Sequence, residues 1–242
     1  MKCMIIGKKQ LLSIGAVLLI ILFAAVCAMG VLAGKPVGHP IRSVEREDKK
    51  LAVTFTLSEQ ADVDKILPTL KKYNVKSTFF VTADWAADHP GRIAELTAAG
   101  QEFGCLIENT DDGEEAGARL TFCRQRIAAS GGGAAPCFRT ADGQWSPVLL
   151  ENAGEKNIPV SWSIDGGDAD MGSGVQDIAD RVLAGAAPGS VVRLDCGGKY
   201  TAAVLPFLFE SLIGKGYEPV ALSALLYPAP YTVDSEGRQR AQ

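Results

Sequence analysis

Three features of the 242-residue chain predict an α/β fold, a parallel sheet or barrel with helices packed outside it. Short apolar runs rich in β-branched residues alternate with helix-length segments from residue 51 to residue 226. That alternation is the mark of successive strand–helix–strand units. Glycine or proline punctuates many of the junctions, where a chain must turn. Apolar residues make up 47% and charged ones 21%, a globular mixture with enough apolar surface for one core of roughly 200 residues.

Before the alternation begins, Lys2, Lys8 and Lys9 precede an uncharged run from Gln10 to Gly34, rich in Leu, Ile, Val and Ala. As a helix such a run crosses a bilayer core of ~30 Å. Positive charge ahead of it places the start inside and the remainder outside. Residues 1–9 are therefore expected in the cytoplasm and 10–34 as a transmembrane signal-anchor, giving a single-pass protein of the cell membrane with its C-terminal domain extracytoplasmic. The alternative is a cleaved signal peptide and a secreted protein, with small residues around Ala25–Cys27 or Val31–Ala33 as cleavage sites. Residues 35–49, with Pro36, Pro40 and a charge cluster, read as a linker.

The elements then follow in order. "LAVTFTL" alternates and reads as a strand; "ILPTLKKYNV" is a helix in which Pro68 is tolerated only near the first turn. "KSTFFVTA" is a second strand, and "HPGRIAELTAAG" a helix opened by Pro90 and closed by Gly100. "QEFGCLI" is a strand, "ARLTFCRQRIAAS" a helix ending in Gly131–Gly133, "APCFRT" a strand and "SPVLLENAGEKN" a helix. "IPVSWSI", "VQDIADRVLAGA", "GSVVRLD" and "AAVLPFLFESLIGKG" continue the rhythm, and "YEPVALSALL" is a last strand with a short helix. The domain so delimited spans 50–227; residues 228–242 read as a flexible tail. Sites in such folds lie at the C-terminal ends of the strands.

The net charge of −4 is scattered and no basic stripe with interleaved aromatics occurs, so nucleic acid is not an expected partner. Cys105, Cys123, Cys137 and Cys196 fall in the outer domain; in an oxidising compartment four cysteines allow three pairings, and buried free thiols are the alternative. The possible disulfide we single out joins Cys123, early in its helix, to Cys137 in the next strand. No CxxC pair supports a structural zinc site.

The segments "AVTFTL", "ILPTLKKYNVKSTFFVTADWAADHPGRIAELTAAGQEFG", "FRTADG", "SWSIDGGDAD", "PGSVVRLD" and "LPFLFESLIGKGYEPVALSALL" occur in an order and spacing that resembles the polysaccharide deacetylase family, the NodB homology domain. The resemblance implies a distorted (β/α) barrel, here preceded by one N-terminal transmembrane helix. It also implies a Zn-type, metal-dependent hydrolase of N-acetyl groups on chitin-like polymers or peptidoglycan. Such chemistry needs water sharpened by an ion held in an open three-ligand site. The family takes its ligands from an aspartate of "TFDDG" and two histidines of "HSxxH". At those places this chain has Thr56 and Leu57, then Leu106 and Thr110, so no metal and no other cofactor is expected. A late motif that ends in a catalytic histidine reads Arg193–Leu194–Asp195. Only His39 and His89 exist in the whole chain, neither at a strand's C-terminal end. Thr56, Leu57, Arg139 and Asp195 are thus expected to mark a vestigial catalytic site.

What survives resembles a sugar-contacting surface: Arg139 with Gly143 from "RxPxG", and Trp162, Asp165 and Asp168 from the fourth motif. Arg139, Asp142, Trp162, Asp165 and Asp168 are the candidate substrate-binding residues, and Trp85 and Trp145 offer further flat faces. The plainer reading pairs Arg139 with an aspartate and puts Trp162 in the core. A hard-cation site built from Asp111, Asp112, Asp142, Asp165, Asp168, Asp170 and Asp195 has no regular ligand spacing, and loop aspartates commonly cap turns instead. Cys105 or Cys196 as a nucleophile lacks a histidine partner. The expectation is a catalytically impaired, deacetylase-like envelope protein that binds cell-wall glycan or an envelope partner; the alternative is an active, divergent hydrolase deacetylating N-acetylated cell-wall polysaccharide or peptidoglycan.

Overall fold

The computed structural model describes residues 38–57, 63–107, 113–170 and 172–242. The run read as a membrane anchor lies outside the described residues, as do Thr110, Asp111 and Asp112. Among the described residues no helix is long and apolar enough to cross a membrane.

The first strand is β1 (Ser43–Val44). The main sheet is built from β2 (Lys50–Thr56), β3 (Thr78–Val81), β4 (Glu102–Ile107), β5 (Cys137–Thr140), β6 (Ile158–Pro159), β7 (Ile164–Asp165), β8 (Val191–Asp195) and β9 (Glu218–Val220). It is parallel, in the order β6-β5-β4-β3-β2-β8-β7, with β9 also on β2. β6 and β7 are two parts of one stretch: Val160 N–H donates to Phe138 O on β5, and Ser163 N–H donates to Val191 O on β8. The predicted run "IPVSWSI" therefore carries the chain from one edge of the sheet to the other and curls it into a distorted barrel.

Side chains alternate across this sheet with the period of two that extended backbone imposes. Val53, Phe55, Phe79, Val81, Phe103, Phe138, Val192 and Leu194 form an outer core under the helices. Ala52, Phe80, Leu106, Cys137, Val160 and Val191 face inward and fill the barrel. Gly104 belongs to the inner row of β4, and any Cβ there would lie 2.5 Å from the Phe80 ring. The absent side chain gives that ring its place.

The helices are α1 (Val63–Lys72), α2 (Ala83–Asp88), α3 (Pro90–Ala98), α4 (Ala116–Ala129), α5 (Pro147–Ala153), α6 (Val175–Gly185), α7 (Thr201–Gly214) and the short α8 (Leu222–Leu225). α1 begins earlier than the pattern suggested, so Pro68 is interior rather than in the first turn. Val63, Ile66, Leu67 and Leu70, spaced to share one face, are all buried. Burying four such side chains contributes roughly 6–12 kcal/mol at the upper bound, which outweighs the ~3 kcal/mol cost of an interior proline. α2 was not foreseen; Thr82 caps it, its hydroxyl accepting from Trp85 N–H at 3.1 Å.

Two expectations are corrected. The segment read as a flexible tail forms β10 (Tyr231–Val233) and β11 (Arg238–Ala241), an antiparallel hairpin whose second strand pairs in parallel with β1. The linker thus supplies a strand, and Ile41 bridges to Val160 at the barrel's edge. Gln239 fixes the hairpin: wholly buried, its side chain accepts from Tyr227 N–H at 2.9 Å and donates to Tyr227 O at 3.0 Å. The second correction concerns the bridge between Cys123 and Cys137. Both are free and buried, and they lie on opposite faces of the sheet, Cys123 in the outer core and Cys137 inside the barrel.

Candidate functional site

Parallel strands bring their C-terminal ends to one mouth, and the inner row decides what is displayed there. Thr54 and Thr56 of β2, Leu106 of β4, Arg139 of β5, and Arg193 and Asp195 of β8 belong to that row. Arg139 is the centre of the constellation. It is 1% exposed, and its guanidinium donates to Thr54 Oγ1 at 2.9 Å and to Thr56 Oγ1 at 2.5 Å. Its charge lies over the Phe80 ring at 4.1 Å, the ring that Gly104 admits.

No carboxylate forms an ion pair with Arg139 among the described residues, and its Nε–H has no acceptor. Among the described residues it has no aspartate partner; Arg193 takes Asp165, at 3.0 Å. Burial pushes the Arg139 pKa down to about 9, and the like charge of Arg193 adds to the shift. The guanidinium is still protonated at neutral pH. A lone buried cation of this kind is costly, and stacking on an aromatic ring offsets only part of the cost.

The other candidates divide between mouth and scaffold. Trp162 is half-buried, with Arg193 over its ring at 4.6 Å and Arg139 at 5.8 Å. Asp165 joins the mouth through Arg193 and also holds Gly167 N–H at 3.0 Å. Asp168 is scaffold: buried, it accepts from Thr201 Oγ1 at 2.5 Å and from Asp195 N–H at 2.8 Å, and desolvation raises its pKa. Asp195 sits in register with Thr56 and caps Gly197 N–H at 2.7 Å. Asp142 caps Gln144 N–H at 2.9 Å, outside the mouth. Trp85 is buried against His89, so it offers no open face.

The described residues do not suit the ion that the fold suggests. Thr56 presents a hydroxyl engaged by Arg139, Leu106 is apolar, and Leu57 turns into the outer core. Among the described residues no three of His, Cys, Asp and Glu converge as metal ligands. Cys105 and Cys196 are buried with their thiol pKa values raised, unlike reactive thiols. Arg193 and Phe80 escaped the sequence reading. The alternation of Val191–Asp195 carried the signal for Arg193, since it shares a face with Asp195.

Residues 43–160 match the family described as Polysaccharide deacetylase. That stretch of the chain belongs to the polysaccharide deacetylase family. The chain is 28% identical over 187 residues to the peptidoglycan-N-acetylglucosamine deacetylase PgdA of Listeria monocytogenes, covering 74% of this chain and 39% of that protein. The chain thus spans about two fifths of that relative. A chitooligosaccharide deacetylase of Sinorhizobium fredii is 31% identical over 141 residues, 55% of this chain and 65% of its own. Among solved structures, a CE4 family pseudoenzyme from Bacillus anthracis superposes with a TM-score of 0.72 at 21% identity, over 85% of this chain and 74% of that one. PdaA of Bacillus subtilis, a family 4 carbohydrate esterase, gives 0.70 at 22% identity, over 77% and 84%. These likenesses establish the fold as the distorted parallel barrel of this family.

Proposed function

We propose that this family member has lost metal-dependent deacetylation and serves as a glycan-binding protein of the cell envelope, held to the membrane through residues 10–34. One observation carries the reading. Where the family places a carboxylate in front of the arginine of its "RxPxG" motif, Thr56 offers Arg139 a neutral hydroxyl, so the mouth has neither a base nor an anionic ligand at that point. Loss of a positioned base alone costs a reaction about 10²–10⁴-fold, and without an ion the water stays unactivated. The sugar-facing parts outlast the chemistry: an aromatic plane at Trp162 and the Arg193–Asp165 pair beside it. Support comes also from the relatives, whose names tie them to peptidoglycan and chitooligosaccharides, and from a structural neighbour described as a pseudoenzyme.

The test is to incubate the purified chain with N-acetylglucosamine oligomers and peptidoglycan, measuring bound divalent metal, released acetate and retained glycan together. Binding without stoichiometric metal and without acetate is the expected result. Acetate release that a chelator abolishes would establish the rival reading, an active divergent deacetylase.

A further inference from the structure

Two of the buried cysteines meet between strand and helix. Cys105 of β4 and Cys123 of α4 both lie in the outer core, the layer under the helices. Register brings them together: Cys105 pairs with Val81 of β3, and the Cys123 thiol donates to Val81 O at 3.4 Å. From its own side the Cys105 thiol reaches Leu120 O at 3.9 Å, one turn of α4 ahead of Cys123. Each sulfur thus reaches the backbone that flanks the other. We propose that Cys105 and Cys123 form a stabilising disulfide that pins α4 to β4; the oxidising compartment it requires rests on the envelope reading above.

Among the described residues the other pairings fail on topology. Cys137 lies inside the barrel, across the sheet from both. A disulfide needs Cβ atoms about 3.5–4.5 Å apart, so side chains that point to opposite faces cannot make one. Cys196 follows directly on β8, and β2 and β3 stand between β8 and β4 in the sheet. Only Cys105 and Cys123 sit on neighbouring elements with their sulfurs turned toward one space.

The bond forms by thiol–disulfide exchange with a small disulfide such as oxidised glutathione. One cysteine thiolate attacks the donor disulfide, giving a mixed disulfide and releasing one donor thiol. The second cysteine thiolate attacks the protein sulfur of that mixed bond and expels the other donor thiol. The cysteines are oxidised by two electrons, and the donor leaves as two thiols that carry the two protons. In the folded chain Cys123 beside it, and then burial, push the Cys105 thiol up, so the closed pair supplies little thiolate. Exchange therefore belongs to folding, before α4 closes over β4, and the finished bond is shielded from reductants.

The test is to denature, reduce and refold the full chain in detergent with oxidised and reduced glutathione, then to map its peptides without reduction. A Cys105–Cys123 linkage is expected, kept in Cys137→Ser and lost in Cys123→Ser. Closing a loop of about 19 residues should raise the melting midpoint of the oxidised chain by roughly 5–10 °C over the reduced one. Free thiols at both positions, a different partner for either, or a midpoint that oxidation leaves unchanged or lowers would overturn the cross-link while sparing the envelope reading. The same map on chain taken from cells, with thiols blocked at lysis, tests the compartment. The linkage there supports both readings; free thiols there, with the linkage after refolding, would overturn the extracytoplasmic placement alone.

Discussion

At the scale of single residues, Arg139 concentrates the consequences. It is buried, protonated and, among the described residues, without a contacting carboxylate, and Thr56 already touches its guanidinium. Thr56→Asp should therefore stabilise the protein by roughly 1–3 kcal/mol, the value of a hydrogen bond between charged partners, read as a rise in the thermal midpoint. That gain should vanish as pH falls through the depressed pKa of the new carboxylate. Wild type carries the opposite signature. With the folded pKa near 9 against 12.5 for the free group, both states hold the proton below pH 9, and above it the unfolded chain binds more. Wild-type stability should thus gain on Thr56→Asp as pH rises past about 9, measured by denaturant titration at paired pH values. A melting difference independent of pH would refute the assignment. Thr56, Leu57 and Leu106 could be singled out in the sequence because each sits in a stretch that resembles a family motif. The guanidinium's partners were not. Which strand neighbours donate or accept depends on register, and two threonines separated by one residue give no sign that they will share an arginine from a strand 85 positions away.

At the scale of elements, most of the strand–helix alternation could be read directly, because apolar runs with β-branched residues need no tertiary information. What escaped was polar. β11 reads Arg-Gln-Arg-Ala, with none of the alternation expected of a half-buried strand, and the residue it buries is Gln239. The fit comes from the Tyr227 backbone, which a one-dimensional pattern does not reveal. Gln239→Ala should leave the half-buried N–H and C=O of Tyr227 without their partner and cost roughly 1–3 kcal/mol by chemical denaturation. A surface-like change of a few tenths would show the hairpin to be dispensable. The short α2 was hidden for a different reason: its capping Thr82 lies directly at the end of β3, where strand and helix signals overlap. The Cys123–Cys137 pairing failed because sequence proximity says nothing about which side of a sheet a residue faces. A non-reducing peptide map should recover no peptide linking those two cysteines.

At the scale of the whole molecule, the barrel is finished by its own ends. Ile41 and Val44 are packed in the inner core, and β1 lies against β11. A chain beginning at residue 46 should consequently melt well below one beginning at residue 36, although the reading from sequence put the boundary near 50; equal midpoints would show the wrapping to be ornamental. The same arrangement has a mechanical side. Arg42 stands in the segment by which the chain enters the barrel, and its guanidinium grips the carbonyl of Trp162. Tension drawn through the N-terminal side would therefore arrive at Ile41 and Arg42, and through their hydrogen bonds at the backbone of Pro159, Ser161 and Trp162. A protein tethered at that end and holding a polymer beside Trp162 would carry the load through a few residues of one short stretch of backbone.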